Sequence, residues 1–309
     1  MASPDPYCPF DVVGRPVDLD LVEEYRQSPF GPLHTVKSTP HPTESVVTVF
    51  IHGFGGSWKS WTPLLQAARQ RGFSFGDVLL PDLPGFGSSS HRVDEMKMRD
   101  IGDFLLDLTS TLGWEKVRLI GHSMGGFLGL DMASRRDPRI ESLVSLAGAY
   151  FSILDVVRQG IRSFQTVPRT AASYYGLRVL SCLGPVGPMM VARAYRLGLL
   201  PLFLKSSLYK PSLIKPGILK EMSTAFNPNS FHLAEVNGIN YDAFNTWSQI
   251  EIPSLFVFGD CDSIVPARDM ATIQRTLPQS RAVLLQQTGH FPHFERPFEL
   301  LDQLSSFST

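Results

Sequence analysis

A serine stands at the centre of the pentapeptide Gly-His-Ser-Met-Gly at residues 121–125. The apolar run 117–120 precedes it and is short enough for a buried strand, while leucine and methionine at helical spacing follow from Gly126. A serine in Gly-x-Ser-x-Gly between a strand and a helix is typical of a nucleophile elbow, a sharp turn that only small flanking residues permit. We therefore predict that the hydroxyl of Ser123 is an exposed nucleophile.

By itself this pentapeptide is weak evidence, because a glycine-rich helix start with Ser123 as its N-cap would look the same. A serine nucleophile needs a base within hydrogen-bond reach, and the base needs an acid to orient it. Residues of both types occur later in the chain, each just after an apolar, strand-like run. Gly259-Asp260-Cys261-Asp262 follows residues 255–258, and Thr288-Gly289-His290 follows residues 282–285.

Two histidines and two aspartates compete for the roles of base and acid. His290 lies nearer than His293 to the end of the predicted strand, which favours His290 as the base. Asp260 and Asp262 are two residues apart, and the residues around them do not choose between them. Both aspartates therefore stay candidates at this point.

Two backbone N–H groups are candidates for stabilising a negatively charged intermediate. The N–H of Met124 is predicted at a helix N-terminus, where the helix dipole favours negative charge. The β-branched run 46–51 ends in His52-Gly53-Phe54-Gly55-Gly56, a loop that can offer a second N–H. We predict an oxyanion hole built from the N–H groups of Phe54 and Met124, whereas the ring of Phe54 either lines a pocket or covers the end of the sheet.

Five segments together resemble the α/β-hydrolase fold superfamily. They are HGFGG at 52–56, DLPGFGSS at 82–89, GHSMGG at 121–126, GDCD at 259–262 and GHFPHFERP at 289–297. The resemblance spans residues 46 to about 300 and implies a Ser-His-Asp triad of Ser123, His290 and Asp262, with Asp260 stabilising its loop. A serine at the elbow argues against the branches of this fold that use an aspartate nucleophile, the dehalogenases and epoxide hydrolases.

The order of predicted elements fits this fold. Strands are predicted at 46–51, 78–80, 117–120, 143–146, 254–258 and 282–285, and helices at 58–71, 100–112, 125–135, 267–276 and 297–307. This alternation predicts a mostly parallel sheet flanked by helices, with a possible edge hairpin in the first 40 residues. The alternation stops between 149 and 247, so we predict a core of residues 1–148 and 248–309 and a helical lid insertion at 149–247.

The predicted insertion is strongly basic. Residues 149–247 carry a net charge of +6, whereas the rest of the chain carries −7. Between residues 156 and 220 there is no acid but ten cations: Arg158, Arg162, Arg169, Arg178, Arg193, Arg196, Lys205, Lys210, Lys215 and Lys220. These cations either pair with acids of the core or attract an anionic substrate or an anionic lipid surface.

The apolar content of the insertion leaves two interpretations open. Its runs at 189–191 and 199–204 are rich in methionine, leucine and phenylalanine. They either line a lipophilic pocket or form the insertion's own packed core.

Composition excludes several classes of protein. The net charge of −1 indicates no nucleic-acid partner, and 43% hydrophobic residues are enough for a large core. Three widely separated cysteines predict no disulfide framework and no metal centre, and together with the lack of signal-peptide features they favour the cytoplasm. No metal or organic cofactor is predicted.

These observations predict a cofactor-independent serine esterase or lipase that cleaves a lipophilic, small-molecule carboxylic ester. The same residues could serve a thioesterase, a lactonase or a hydrolase of carbon–carbon bonds next to a ketone. From a different class, a non-hydrolytic ligand receptor or scaffold with this fold also stays open, as does the oligomeric state.

Overall fold

A computed structural model describes residues 6–39, 45–89, 97–225, 227 and 238–308. Within these ranges, eight strands form one sheet. They are β1 (Val22–Ser28), β2 (Gly31–Lys37), β3 (Val46–Ile51), β4 (Asp77–Pro81), β5 (Lys116–His122), β6 (Ile140–Leu146), β7 (Ser254–Gly259) and β8 (Arg281–Leu285).

The strands are arranged in the order β1-β2-β4-β3-β5-β6-β7-β8. The hairpin of β1 and β2 forms one edge and pairs antiparallel with β4, and all pairings from β4 to β8 are parallel. The predicted α/β architecture with a mostly parallel sheet is therefore confirmed. Because β3, β5, β6, β7 and β8 run in the same direction, their carboxyl ends meet at one edge of the sheet.

Helices connect the parallel strands. The α-helices in the described ranges are α1 (Thr62–Arg71), α2 (Met98–Thr111), α3 (Met124–Ser134), α4 (Phe151–Gln159), α5 (Pro168–Cys182), α6 (Val186–Arg196), α7 (Leu200–Phe203), α8 (Pro216–Thr224), α9 (Ala243–Trp247), α10 (Arg268–Thr276), α11 (Pro292–Glu295) and α12 (Pro297–Ser308). Short 3₁₀ turns cover Pro16–Leu19, Trp58–Trp61, Gly160–Gln165 and Pro211–Leu213.

The helix predicted at 58–71 differs in its first turn. Residues Trp58–Trp61 form a 3₁₀ turn capped by the Ser57 side chain, and the α-helix starts only at Thr62. Pro63 then occupies the first turn of α1, where its missing N–H costs no hydrogen bond.

The sheet is covered on both faces, and alternate strand residues point into two separate cores. In β3, Val49 and Ile51 belong to the core that contains residues of α2, α3 and α10, whereas Phe50 faces the core with residues of α1 and α12. The same alternation holds in β7, where Phe256 and Leu255 face opposite cores. A strand buried on both faces reads as a continuous apolar run, which is why these strands are visible in the sequence.

Between β6 and β7 the described chain consists of α4 to α9 and the turns that join them. This is the region predicted as a lid. Some of its buried residues, among them Leu154 and Trp247, belong to the large core that contains residues of α2, α3 and α10. Others form two small clusters, one containing Val156 and Tyr174 with Phe54 packed against it, and one in which Leu208 and Ile218 pack with the N-terminal Cys8. The region therefore contacts both the loop after β3 and the N-terminal segment. No helix in the described ranges combines the length and the apolar character that a bilayer span requires.

Candidate active site

Ser123 lies at the turn between β5 and α3. Its φ of 51° and ψ of −115° place it in a region that a residue with a side chain rarely adopts. The turn is held on both sides, because the N–H of Ser123 donates to the carbonyl of Leu146 at 2.9 Å and its carbonyl accepts from Ala149 at 3.0 Å. Such local strain is often found at functional sites and persists only where the surroundings fix it.

The flanking glycines are required by the close approach of this turn to neighbouring backbone. A β-carbon on Gly125 would lie 2.1 Å from the carbonyl oxygen of Ile51, and one on Gly121 would lie 2.3 Å from that of Gly125. Real β-carbons do not approach backbone so closely, so neither position accepts a larger residue without a shift of the chain. This is the steric basis of the elbow that the sequence predicted.

The structure brings Ser123, His290 and Asp262 together. His290 lies with Nε2 at 3.0 Å from the Oγ of Ser123 and with Nδ1 at 2.8 Å from the Oδ2 of Asp262. Asp262 is buried, and its Oδ1 accepts from the N–H groups of Ile264 and Val265 at 2.8 and 3.1 Å. An acceptor-only carboxylate at Nδ1 fixes the tautomer with its proton on Nδ1, so Nε2 is left to accept the serine proton.

The competing residues lie elsewhere. Asp260 accepts from the backbone N–H of Thr288 at 3.0 Å and so ties the loop after β7 to the loop that carries His290. His293 is fully buried between Trp61 and His122, with ring centroids 4.7 and 4.5 Å away, and neither of its ring nitrogens has a hydrogen-bond partner among the described residues. Burial, aided by nearby His290, lowers the pKa of His293 to about 3.

Two further histidines hold loops around the site. The Nε2 of His52 accepts from the N–H of Leu83 at 2.9 Å, while its Nδ1 lies 2.8 Å from the carbonyl of Gly53. His122 donates from Nε2 to the carbonyl of His290 at 2.8 Å. Burial lowers the pKa of both imidazoles, so both are neutral near pH 7 and act as fixed hydrogen-bonding groups.

The two residues with the predicted oxyanion donors line the same cavity as the serine. Met124 is the first residue of α3, where the N–H has no acceptor within the helix. Phe54 follows β3, and both residues line the cavity that contains Ser123. The ring of Phe54 packs edge-to-face on Phe86, with centroids 5.8 Å apart.

Sequence reasoning missed Glu295, which anchors the loop of His290. The side chain is fully buried, and its two oxygens accept from four groups. These are the N–H groups of Gly289, Phe291 and Tyr209 at 3.0, 3.0 and 2.9 Å and the hydroxyl of Tyr7 at 2.8 Å. Burial raises the pKa of Glu295 in spite of these donors. An acid among the aromatic residues and prolines of 291–298 was the only sign of it in the sequence.

A large apolar cavity opens from the serine. Its volume is about 1220 Å³, and its walls come from the elbow, the loop of His290 and the helices between β6 and β7. Its lining is dominated by side chains such as Phe127, Leu154, Tyr174, Leu180, Leu200, Leu204, Ile218 and Met222. The cluster of three or more His, Cys, Asp or Glu side chains that a metal would need is absent from the described residues.

Comparison with known proteins identifies the family to which this chain belongs. The sequence profile of the α/β-hydrolase fold matches residues 47–297, which is most of the chain. The chain therefore belongs to the α/β-hydrolase fold family.

Three individual proteins illustrate its relatives. The dihydrolipoyllysine-residue acetyltransferase component of the acetoin cleaving system of Pseudomonas putida is 26% identical over 84% of this chain, which spans only 62% of that protein. The sn-1-specific diacylglycerol lipase ABHD11 of Mus musculus is also 26% identical, over 84% of this chain and 80% of the lipase. The naproxen esterase of Bacillus subtilis superposes with a TM-score of 0.67 at 18% identity, covering 95% of this chain and 94% of the esterase.

Proposed function

We propose that this α/β-hydrolase is a serine hydrolase that cleaves a carboxylic ester with a lipophilic acyl or alcohol group. The observation that carries the proposal is the continuous chain of contacts from Asp262 through His290 to Ser123, with distances of 2.8 and 3.0 Å, at the wall of an apolar cavity. A base within 3.2 Å of the nucleophile and an acid on the base's other nitrogen are what nucleophilic catalysis requires.

The proposed reaction has two stages. The Oγ of Ser123 attacks the ester carbonyl and passes its proton to Nε2 of His290, while Asp262 stabilises the resulting imidazolium. The N–H groups of Phe54 and Met124 hold the oxyanion, and His290 returns the proton to the departing alcohol. In the second stage, water attacks the acyl-enzyme with His290 as base, which releases the carboxylic acid and restores the serine.

The cavity supports a lipophilic substrate. An alkyl chain that leaves water for these walls gains about 0.8 kcal/mol for each buried methylene, so longer acyl chains should bind more tightly until the space is filled. The mouse relative is named a diacylglycerol lipase and the Bacillus structure a naproxen esterase, and both names agree with the proposed cleavage of a lipophilic ester.

The first test is labelling and turnover. A fluorophosphonate probe should label the protein at Ser123, and kcat/KM for p-nitrophenyl esters should rise from acetate to octanoate by up to about fourfold for each added methylene that is buried. Labelling without measurable turnover of any ester, thioester or lactone would instead favour a non-hydrolytic receptor.

The choice of acid can be tested by a matched pair of substitutions. Asp262→Asn should lower kcat by about 10⁴, because an amide at this position favours the wrong tautomer of His290. Asp260→Asn changes the same atoms two residues away, and it should lower kcat less than tenfold because Asp260 contacts the loop backbone and not the imidazole. Steady-state kinetics of both variants measure these losses. A larger loss of kcat in Asp260→Asn than in Asp262→Asn would assign the role of the acid to Asp260.

A further inference from the structure

Exposed apolar side chains are concentrated in the helices between β6 and β7. Of eighteen large hydrophobic side chains that are exposed in the described ranges, fourteen lie between residues 149 and 247. Ile161, Phe203 and Met189 are 78%, 71% and 68% exposed. Singly scattered exposed hydrophobics are ordinary, but a concentration of this kind on one segment marks an interaction surface.

Most cations of the same segment form no ion pair with a carboxylate among the described residues. Apart from Arg178, none of its ten cations has a carboxylate oxygen within 4.0 Å among the described residues. Instead, Arg158 donates to the backbone carbonyl of Tyr241, and Lys210 lies 5.0 Å from the ring of Tyr209. The alternative that these charges are neutralised by acids of the core therefore finds no support in the described contacts.

Apolar and basic side chains meet at the mouth of the active-site cavity. Eight exposed residues of this segment also line the cavity, and we call the five with large apolar or cationic side chains the rim: Arg169, Val179, Met190, Phe203 and Lys205. Three large apolar side chains and two cations therefore lie both at the protein surface and in the wall of the cavity that contains Ser123.

We propose that the rim and the surrounding helices dock onto the surface of an anionic phospholipid bilayer. Phe203 and Met190 would enter the boundary between headgroups and acyl chains, while Arg169 and Lys205 would lie at the level of the lipid phosphates. The cavity mouth then faces the bilayer, from which a lipophilic ester reaches Ser123 without crossing water. Docking goes beyond the proposed hydrolysis, because it needs neither the serine nor turnover.

Two features favour a bilayer over a small anionic ligand or a protein partner. Met189 and Leu202 are exposed but do not line the cavity, so a molecule inside the cavity would leave them in water. The cations and apolar groups are spread over several helices, from Arg162 to Leu213, with no acid between them. A fluid anionic bilayer can contact cations and apolar side chains that are spread in this way. A protein interface would require each of them to pair with a specific partner group.

The direct test is flotation of the protein with lipid vesicles, in a Ser123→Ala background so that no lipid is consumed. The protein should bind vesicles of equal parts phosphatidylcholine and phosphatidylserine, and not vesicles of phosphatidylcholine alone. Each cation near an anionic surface contributes about fivefold to partitioning, so Arg169→Glu with Lys205→Glu should lower binding at least about 25-fold. Added salt should weaken binding in the same direction.

The matched control reverses two exposed cations of the core, Arg275 and Arg281, and should keep binding within about twofold of the parent. Equal loss in the control, equal binding to both vesicle types, or no binding to either would overturn the proposal. Ester turnover of the parent protein in solution would be unaffected by any of these outcomes, so the proposed function is tested separately.

A second measurement reports orientation. The native tryptophans at 58, 61, 114 and 247 are all buried, so an added exposed tryptophan provides the changing signal. Phe203→Trp should show a blue shift of its emission on anionic vesicles and quenching by brominated acyl chains. Tyr25→Trp, on the exposed face of β1, should show neither. Equal responses at both positions would contradict docking through the rim.

Discussion

Replacing Ser123 by alanine is expected to lower kcat for ester hydrolysis by about 10⁶, because loss of the nucleophile removes the whole covalent route. Folding should be unaffected. Alanine carries the same β-carbon as serine at the strained φ of 51°, and among the described contacts the Ser123 hydroxyl makes only the hydrogen bond to His290. The melting temperature should therefore stay within about 2 °C of the parent.

The control for this variant is Ser134→Ala, at the opposite end of α3, where the hydroxyl donates to the carbonyl of Asp131 and also contacts Tyr241. Its kcat should stay within about twofold of the parent. If Ser123→Ala kept a kcat similar to that of the control Ser134→Ala, with an unchanged melting curve, an acyl-enzyme on Ser123 would be excluded. The proposed mechanism would then be wrong.

His290→Ala is expected to have an effect of the same size, a loss of about 10⁶ in kcat, because nucleophile and base act as one unit. His293→Ala is an informative comparison, because both imidazole rings are buried and the two residues are neighbours in the sequence. The pKa of His293 lies near 3, so the ring is uncharged at neutral pH, and it contacts Trp61 and His122 rather than the serine.

Removal of the His293 ring should therefore cost stability rather than chemistry. We expect a loss of about 2–5 kcal/mol in the free energy of unfolding, as for other large-to-small substitutions in a core, with kcat of the folded enzyme reduced less than tenfold. Kinetics below the melting transition, together with denaturant unfolding, separate the two effects. A loss of kcat in His293→Ala that equals the loss in His290→Ala would return His293 to the list of candidate bases.

Much of the fold followed from the sequence because the sheet is buried on both faces. The run 46–51 matches β3 residue for residue, and the other predicted strands lie within β4 to β8. A central parallel strand is a nearly continuous apolar run, interrupted here only by residues such as Thr48 in β3 and Arg118 in β5, so its composition reveals it. The ends of the elements were predicted less accurately. β6 starts three residues before the predicted strand, because its first residues pair at the end of the sheet, where polar side chains are tolerated.

Residue types and their order also indicated Ser123 and His290, whereas the resemblance to the α/β-hydrolase fold chose Asp262 over Asp260; their catalytic roles stay predictions. The structure was needed for their distances, since Ser123 and His290 are 167 residues apart and meet only through the parallel register of β5, β6, β7 and β8. The orientation of Asp262 toward the imidazole depends on the turn after β7. There, the N–H of Cys261 donates to the carbonyl of Thr288, and the N–H of Thr288 donates to the carboxylate of Asp260.

The sequence by itself indicated the chemistry that we propose, because a nucleophile, a base and an acid must be present as residue types. Only the tertiary structure decided what surrounds them. Glu295 connects the loop of His290 to Tyr7 and Tyr209, which are 288 and 86 residues away from Glu295 in the sequence. The basic residues of 156–220 could be counted in the sequence, but their position at the cavity mouth could not. Hydrogen bonds and burial are set by proximity in space, and proximity between distant segments exists only after the chain has folded.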